Sequence, residues 1–347
     1  MTYRSGLLAA ILFAALTGCG RLDEPMSGES AILFNAVPFQ HGAIAVKSGE
    51  GLLPSQESDL IHTGNQVSIF GSWTSPAGVA TDIFSGVTLT CEGTGTELDP
   101  FHWSYAPLRY WRSTGTYTFG SVYPSSTRVE YGTSGGKLVA TYSMLADDYD
   151  LMIASTSRDM DHGGGTGTVT LNFHHACSAV RFLFQKAEGS GDYFIDSFEL
   201  QHLSAVGRLV AEGSTLSWTP AESRSSGIYK WQAATESARI AIPEAYDKSA
   251  TNAVEQWHFA IPQTLLSNTD NAPAVKFSVQ VGEDTTPVYT TLSLPTEEMV
   301  GGDMVPIAWE AGKMYTYYIQ IQPSRAYIIV TVDPWDEYYL GVDDIAF

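Results

Sequence analysis

Three side chains that commonly bind metal ions, Asp159, Asp161 and His162, stand directly before the glycine run Gly163-Gly164-Gly165. Carboxylates and an imidazole at this spacing are possible ligands for calcium or zinc. The glutamate and the glycine of a calcium-binding helix-loop-helix site are missing, however, and an acidic, glycine-rich connection is usually just solvated. The sequence therefore predicts no metal site here.

The other groups that could do chemistry do not converge either. No serine stands in a Gly-x-Ser-x-Gly elbow, and the adjacent carboxylates of Glu297-Glu298 face opposite sides of any strand that contains them. The side chains of His174 and His175 would likewise point to opposite faces of a strand. This favours one hydrogen-bonded core histidine and one surface histidine over a shared metal. We predict that the chain is not an enzyme and needs no cofactor.

Residues 1–19 combine a basic residue, an apolar run and a cysteine. Arg4 precedes residues 6–18, a run shorter than the roughly 20 apolar residues that span a bilayer but suited to a cleaved signal peptide. The ending Leu16-Thr17-Gly18-Cys19 resembles the bacterial lipobox, in which the peptide is cut before an acylated cysteine. We predict a signal peptide over residues 1–18, lipid on Cys19 and a tether over residues 19–30. The alternative is an ordinary secretory signal whose cysteine is incidental.

Two features after the predicted cleavage position concern localisation. Gly20 stands where an aspartate usually retains lipoproteins in the inner membrane, so the resemblance implies the outer membrane. Asp23-Glu24 is similar to the acidic surface-export signals of some anaerobic Gram-negative bacteria. We expect the lipid on Cys19 to hold the mature protein at the outer membrane, on the cell surface.

Composition favours an all-β protein. Tyr, Thr, Ser, Gly, Val and Trp are plentiful, and no stretch after the signal shows a long helical period. The formal net charge of −20 repels phosphate backbones, which argues against nucleic acid as a partner. Besides Cys19 the chain has Cys91 and Cys177, and two buried free thiols on strands fit better than a disulfide between the two halves of the chain.

Alternating apolar residues between Gly, Pro, Asn and Asp turns predict strands along the whole mature chain. These strands include residues 32–34, 43–46, 66–70, 115–119, 169–173, 179–184, 196–200, 276–281, 290–294, 315–321 and 327–332. The glycines at residues 163–167 form the best boundary. The pattern predicts two β-sandwich domains, over residues 31–165 and 166–347, with no helix beyond a short turn.

An aromatic segment at residues 103–111 places Trp103 and Tyr105 on the same face of an extended chain as Arg109 and Trp111. Stacked rings with an arginine form a packed corner of a sandwich, with a cation–π contact, more often than an exposed platform for sugars. We therefore predict that this segment is structural.

The same segment is similar to a signature of fimbrillins, the major and minor subunits of pili built by oral and gut anaerobes. Further matches follow in the same order: Tyr117-x-Phe119 with Tyr123-Pro124, Asp150-Leu151-Met152-x-Ala154, Phe173-x-His175 with Ser178 and Phe182, Phe259-x-Ile261-Pro262-Gln263, Trp309-x-Ala311-Gly312-Lys313-x-Tyr315-x-Tyr317, and Val330-x-Val332-x-x-Trp335. Each piece is weak alone, but their joint order is specific. On these residues almost the whole mature chain resembles the fimbrillin family.

This resemblance implies two transthyretin-like β-sandwich domains in tandem and a structural role in a surface fimbria. It also implies assembly by strand exchange. A trypsin-like surface protease removes the first strand of the lipoprotein precursor, and an extended strand of another subunit takes its place. The implied partners are other pilus subunits, in a homo- or heteropolymer, and the chain would be a stalk or anchor subunit.

Lys47 is the only Lys or Arg between Arg21 and Arg109, and it stands where the family commonly has an arginine. A protease that accepts lysine could cut after Lys47, whereas an arginine-specific one would find no target. Lys47 is therefore the candidate processing site. Two alternatives stay open: the subunit keeps its first strand and its lipid, as an anchor would, or Lys47 is merely a surface lysine in a turn.

Residues after Trp335 supply the candidate donor strand, because Tyr338, Leu340, Val342 and Ala346 share one strand face. The same residues could fold back as the last strand of their own domain. An alternative function from a different class is a surface-tethered glycan-binding lipoprotein whose exposed Trp and Tyr residues grip a sugar.

Replacing the predicted lipidated cysteine tests the anchor. Cys19→Ser should prevent lipidation and release the protein into the periplasm or the medium, because no other segment is long and apolar enough to hold the chain in a bilayer. The measurement is the partition of the protein between membrane and soluble fractions in cells that lack partner subunits. Sedimentation of the variant with the outer membrane would contradict the prediction.

Overall fold

A computed structural model of the chain describes residues 30–38, 60–132, 136–266, 271–282, 286–300, 302–322 and 325–334. These residues form β-strands and a 3-10 turn at Glu236–Ala238, which confirms the all-β prediction. None of them forms a helix with the length and hydropathy needed to span a bilayer.

In chain order the strands are β1 Phe34–Pro38, β2 Gln66–Thr74, β3 Ala80–Glu92, β4 His102–Ser104, β5 Thr116–Tyr123, β6 Val129–Gly132, β7 Lys137–Ser143, β8 Met152–Asp159, β9 Val169–His175, β10 Ser178–Lys186, β11 Tyr193–Leu203, β12 Val206–Glu212, β13 Thr215–Pro220, β14 Ser225–Gln232, β15 Ile240–Ala241, β16 His258–Ala260, β17 Gln263–Thr264, β18 Ala274–Val281, β19 Val288–Ser293, β20 Glu297–Val300, β21 Asp303–Pro306, β22 Ala308–Trp309, β23 Lys313–Gln322 and β24 Arg325–Pro334.

Nine of the predicted strands lie within observed strands, with at most one residue outside, and the observed strands are longer: β2, β5, β9, β10, β11, β18, β19, β23 and β24. The first strand is displaced, since β1 begins at Phe34 and the preceding Ala31 makes only an isolated bridge to Tyr110. The predicted strand at residues 43–46 lies outside the described residues.

The first sheet has seven strands in the order β1-β9-β8-β5-β2-β3-β4. β1 pairs with β9 in parallel, and the other neighbours are antiparallel. One face of this sheet encloses what we call the first core, the buried apolar side chains of β1 to β5, β8 and β9 together with Ile32, Leu60 and Trp111.

The remaining sheets enclose a second core. Their strand orders are β13-β12-β7-β6, β16-β10-β23-β24 and β14-β11-β18-β19, with β15 added to β11, and two-stranded ladders join β17 to β22 and β20 to β21. Buried side chains of β7, β10 to β12, β14, β16, β18, β22 and β23 fill this core. Val122 of β5 and Ile153 of β8 also belong to it, so strands of the first sheet contribute to both cores.

The glycine run does not end the first sheet. It lies between β8 and β9, which pair with each other through Met152 and His175, and Val169, Leu171 and Phe173 of β9 are buried in the first core. The division drawn at residues 165 and 166 therefore cuts through a sheet, because a glycine-rich hairpin loop has the same composition as an interdomain linker. Two sandwich domains in tandem stay a prediction, and a division after β9 would respect the observed pairing.

Gly120 of β5 lies where the first sheet packs against β6 and β7. A Cβ atom at this position would come within 2.9 Å of Leu138 Cγ and 3.3 Å of Tyr131 Cε2. Leu138 is fully buried, and the Tyr131 hydroxyl donates a hydrogen bond of 3.1 Å to the Thr118 carbonyl. A side chain at position 120 would therefore crowd Leu138 and Tyr131, and the close contact between the two layers favours glycine.

Gly120→Ala should therefore destabilise the protein by about 1–3 kcal/mol through overpacking. The free energy of unfolding in urea measures this, with Gly167→Ala as the matched control, because a Cβ atom at Gly167 would meet no heavy atom within 4 Å. Equal stability of the two variants would show that the layers are not in close contact at Gly120.

Candidate functional site

The first strand is hydrogen-bonded along both edges. On one side its residues 34–38 pair in parallel with residues 169–173 of β9. On the other side the Ile32 amide donates to the Arg109 carbonyl at 2.8 Å, and the Trp111 amide donates to the Ser30 carbonyl at 3.0 Å. We call the place of residues 30–38, between β9 and the aromatic segment 103–111, the first-strand slot.

Two side chains of the aromatic segment complete this second edge. The Trp103 indole Nε1 donates to the Ala36 carbonyl at 3.2 Å, and the Tyr105 hydroxyl donates to the Ile32 carbonyl at 2.7 Å. The Arg109 amide donates to the same hydroxyl at 3.1 Å. Burial raises the pKa of Tyr105, an effect partly offset by that amide, so the phenol keeps its proton and its role as donor.

Every second side chain of the first strand points into the core. Ile32 and Ala36 are 0% exposed and Phe34 is 4% exposed, whereas Leu33 is 49% exposed. This alternation is the two-residue period of a half-buried strand. The slot therefore offers three consecutive apolar pockets to whatever strand occupies it.

The middle pocket is aromatic. The Phe34 ring makes edge contacts with Phe84, Tyr105 and Phe119 at centroid distances of 5.3, 5.8 and 5.4 Å. Gly71 of β2 lies beneath the rings, and a Cβ atom there would come within 2.9 Å of Phe119 Cδ1 and 3.2 Å of Phe84 Cδ2. The close approach of these rings thus depends on the missing side chain.

The predicted structural role of the aromatic segment agrees with its burial. Trp103 and Trp111 are 7% and 1% exposed. The expected cation–π contact involves another arginine, because the Arg158 guanidinium lies 5.3 Å from the centre of the Trp111 ring, while Arg109 Nε donates to the Ile83 carbonyl at 3.2 Å. Arg158 comes from β8, which sequence spacing does not link to Trp111.

Phe84 and Gly71 were not predicted from the sequence. Both lie on a bulged ladder, because the register of β2 and β3 shifts between Ile69 and Phe70 and again between Gly71 and Ser72. Ile83 and Phe84 are consecutive and both buried, which breaks the alternation that marks a strand. Gly86, whose φ is +73°, is the sequence feature that could have indicated this irregularity.

The acidic cluster at the glycine run is exposed and internally paired. His162 Nδ1 lies 2.7 Å from Asp159 Oδ2, and the Asp161 carboxylate accepts a hydrogen bond from the Gly115 amide at 3.0 Å. The first contact lowers the pKa of Asp159 and raises that of His162. Among the described residues no three His, Cys, Asp or Glu side chains form a metal-binding group.

The predicted core histidine is His175, whose Nδ1 lies 2.8 Å from the buried Asp150 Oδ2. His174 and His175 are both partly buried, so the structure does not divide them into one core and one surface histidine. Cys91 and Cys177 are buried free thiols, as predicted, but only Cys91 lies on a strand, since Cys177 stands between β9 and β10. Burial raises the pKa of both thiols, which suppresses their reactivity.

Three predicted sites lie outside the described residues: the lipidation site Cys19, the processing site Lys47, and the donor strand with Tyr338, Leu340, Val342 and Ala346. The structure thus describes the slot but neither the cut nor the donor. What the slot can do is hold one extended strand by main-chain hydrogen bonds and three pockets.

A sequence model of the family described as fimbrillin-like matches residues 55–335, which is most of the chain. The chain belongs to the fimbrillin-like family. No curated protein matches it in sequence.

Two solved structures share the fimbrillin-like fold of this chain. A candidate cell adhesion protein of Bacteroides uniformis is 14% identical, with a TM-score of 0.52 over 90% of this chain and 100% of that one. A fimbrial protein of Bacteroides vulgatus is 13% identical, with a TM-score of 0.51 over 88% and 99% of the two chains. At these identities the likeness concerns the fold alone.

The aromatic pocket should contribute strongly to stability. Phe34→Ala should lower the free energy of unfolding by about 3–5 kcal/mol, because it leaves a cavity among three rings. Leu33→Ala is the matched control and should change it by less than about 1 kcal/mol, since that neighbouring side chain is largely exposed. Urea unfolding of both variants measures the difference, and similar values would show that Phe34 does not occupy the pocket.

Proposed function

We propose that this chain is a structural subunit of a surface fimbria, in a stalk or anchor position. Its membership of the fimbrillin-like family supports this, as do the solved relatives described as fimbrial and cell adhesion proteins. The observation that carries the proposal is the first-strand slot. A fold that closes its core with one separable strand is suited to join copies by exchanging that strand.

The first strand is separable because its partners are all remote in sequence. Ile32, Phe34 and Ala36 touch β9 and the segment 103–111, and the chain continues from β1 into the rest of the fold through residues 39–59, which contain Lys47. A cut after Lys47 would leave β1 held by non-covalent contacts alone. The large buried side chains of Ile32 and Phe34 would each stabilise the bound first strand by about 1.5–3 kcal/mol.

An emptied slot would expose core and unpaired backbone together, so it would accept a new strand. The proposed donor follows β24, an edge strand that ends at Pro334. Its residues Tyr338, Leu340, Val342 and Ala346 would present apolar side chains at the two-residue spacing of the pockets. A donor in the place of β1 would run parallel to β9.

Export and processing are proposed from the sequence. Lipid on Cys19 would hold the precursor at the outer membrane, with residues 19–30 as the tether leading into the slot. A trypsin-like surface protease that cuts after Lys47 would release the subunit from its lipid and open the slot in one step. A subunit that escapes the cut would stay lipidated and serve as an anchor.

Glycan binding through the aromatic segment receives no support from the geometry. Trp103 and Trp111 are buried, and their rings face β1 and the core rather than solvent. A sugar platform needs an exposed ring face. The structural reading of this segment therefore also favours the fimbrial proposal.

Strand exchange predicts two complementary defects. Lys47→Ala should leave a subunit that cannot accept a strand, and deletion of residues 338–347 should leave one that cannot donate. After trypsin treatment of soluble Cys19→Ser protein at high concentration, the parent should form a ladder of polymers. Each variant alone should stay monomeric, and a mixture of the two should stop at dimers. Gel filtration measures the sizes.

Lys137→Ala is the matched control for the lysine, because the Lys137 side chain is 49% exposed; this variant should polymerise like the parent. Polymers formed by either blocked variant alone would exclude exchange through these segments, and retention of the parent on a polysaccharide column would then favour the glycan-binding alternative.

N-terminal sequencing of protein from native cell surfaces distinguishes an anchor from a polymerising subunit: acylated Cys19 indicates an anchor, and Ser48 indicates a polymerising subunit.

A further inference from the structure

The glycine run between β8 and β9 forms a tight turn. The Gly164 amide donates to the Asp159 carbonyl at 2.7 Å, and a Cβ atom at Gly164 would come within 2.5 Å of the same carbonyl oxygen. Real Cβ atoms do not approach a backbone oxygen so closely, so a side chain at position 164 would displace the turn. The path of this loop therefore depends on glycine at that position.

Arg158, the next-to-last residue of β8, binds the carbonyl groups of this loop. Its Nη1 donates to the Gly165 carbonyl at 2.8 Å and to the Gly167 carbonyl at 2.7 Å, and its Nη2 donates to the Thr168 carbonyl. Three carbonyl groups thus converge on one guanidinium group. Because this group is planar, always charged and rich in donors, it fixes several acceptors with a geometry that the single nitrogen of a lysine does not reproduce.

The last of these three carbonyls belongs to the edge of the first-strand slot. Thr168 directly precedes β9, and the Val169 amide donates to the Leu33 carbonyl at 2.7 Å. The Thr168 carbonyl and the Val169 amide form one planar peptide group, so they point in opposite directions. When Arg158 holds the oxygen of this group, it also aims the N–H at the strand in the slot.

The same guanidinium lies against the other edge of the slot. Its carbon atom is 5.3 Å from the centre of the Trp111 ring, and the Trp111 amide donates to the Ser30 carbonyl at 3.0 Å. A cation over the face of an indole ring is attracted by it, even without a hydrogen bond. Arg158 therefore contacts both edges at the end of the slot that holds residues 30–33.

None of the contacts described for Arg158 involves the first strand. The glycine loop is also tied to the segment after Trp111, since the Met160 amide donates to the Gly115 carbonyl at 2.9 Å and the Gly115 amide donates to the Asp161 carboxylate at 3.0 Å. Edges that are held by groups other than the occupant would keep their spacing when the occupant leaves. A new strand would then bind without having to order the slot.

We propose that Arg158 is a positioning residue of the first-strand slot. It holds the peptide group between Thr168 and Val169 and the ring of Trp111 at the spacing that lets both edges bond to one strand. The glycine run serves to bring the three carbonyl groups to its guanidinium. This role rests on the proposed function, because the strand between these edges is the one that strand exchange would replace.

Amide hydrogen exchange in the uncut, soluble Cys19→Ser protein, resolved to single amides, tests this role. Arg158→Lys keeps the charge but loses the planar fork, and Arg208→Lys is the matched control at an exposed arginine of β12. With Arg158→Lys we expect the amides of Val169 and Trp111 to exchange at least about tenfold faster, the effect of losing one hydrogen bond to a charged group. The amides of β7 and β12, in the second core, should exchange at the parent rate. Arg208→Lys should accelerate neither slot amide.

A second pair of variants changes the loop and leaves Arg158 in place. Gly164→Ala should displace the turn and accelerate the amides of Val169 and Trp111 as Arg158→Lys does. Gly167→Ala is its control, because a Cβ atom there would meet no heavy atom within 4 Å. This pair gives the same readout if Arg158→Lys does not fold.

Three results would overturn the positioning role: equal acceleration of the slot amides and the second-core amides, which indicates a general loss of stability; acceleration at Val169 alone, which means that Arg158 holds only one edge; and parent rates at both edges. The measurement uses the uncut monomer, so it does not depend on polymerisation. Failure of the parent to polymerise after trypsin treatment would instead count against strand exchange.

Discussion

The integrity of the first core depends on the non-covalent seating of β1. Residues 30–38, which include β1, supply Ile32, Phe34 and Ala36 to the core, and their main chain is bonded on one edge to β9 and on the other to the aromatic segment. A parallel neighbour is never adjacent in sequence, because a parallel pair needs a long connection. Chain connectivity therefore does little to hold β1 in the place where it closes the core.

The wall of the slot leads directly into the second core. β9 ends at His175 and β10 begins at Ser178, so Phe173 lies in the first core while Ala176 and Cys177 lie in the second. The pair of His175 and Asp150 fixes this passage, with side chains that are 11% and 1% exposed. Because the strand that receives β1 is tied down at its end, the slot keeps its shape better than an isolated hairpin would.

Much of the fold could be predicted from the sequence, and the failures have identifiable causes. β9 could be predicted because its burial follows the two-residue period, and β10 because it is a short continuous apolar run that is buried on both faces. β3 was not predicted because the consecutive residues Ile83 and Phe84 are both buried at a bulge. The glycine run was misread as a boundary, since a hairpin loop and a linker share a composition. The pairing of β1 with β9, separated by more than a hundred residues, leaves no local signal at all.

The slot recognises a strand by pattern and not by charge. Its pockets are apolar, its hydrogen bonds come from main-chain groups and from the neutral Trp103 and Tyr105, and no ion pair involves β1 in the described residues. This suits a chain with a formal net charge of −20, whose copies repel one another over distances up to the Debye length of about 8 Å at physiological salt. Under the proposed strand exchange, association between such copies would rest on short-range contacts, and an apolar strand between two hydrogen-bonding edges would provide them without placing like charges in contact. A strand that occupies the slot must therefore have apolar side chains at alternate positions. The most restrictive position is the one whose side chain enters the pocket of Phe84, Tyr105 and Phe119, because it must fit among three rings.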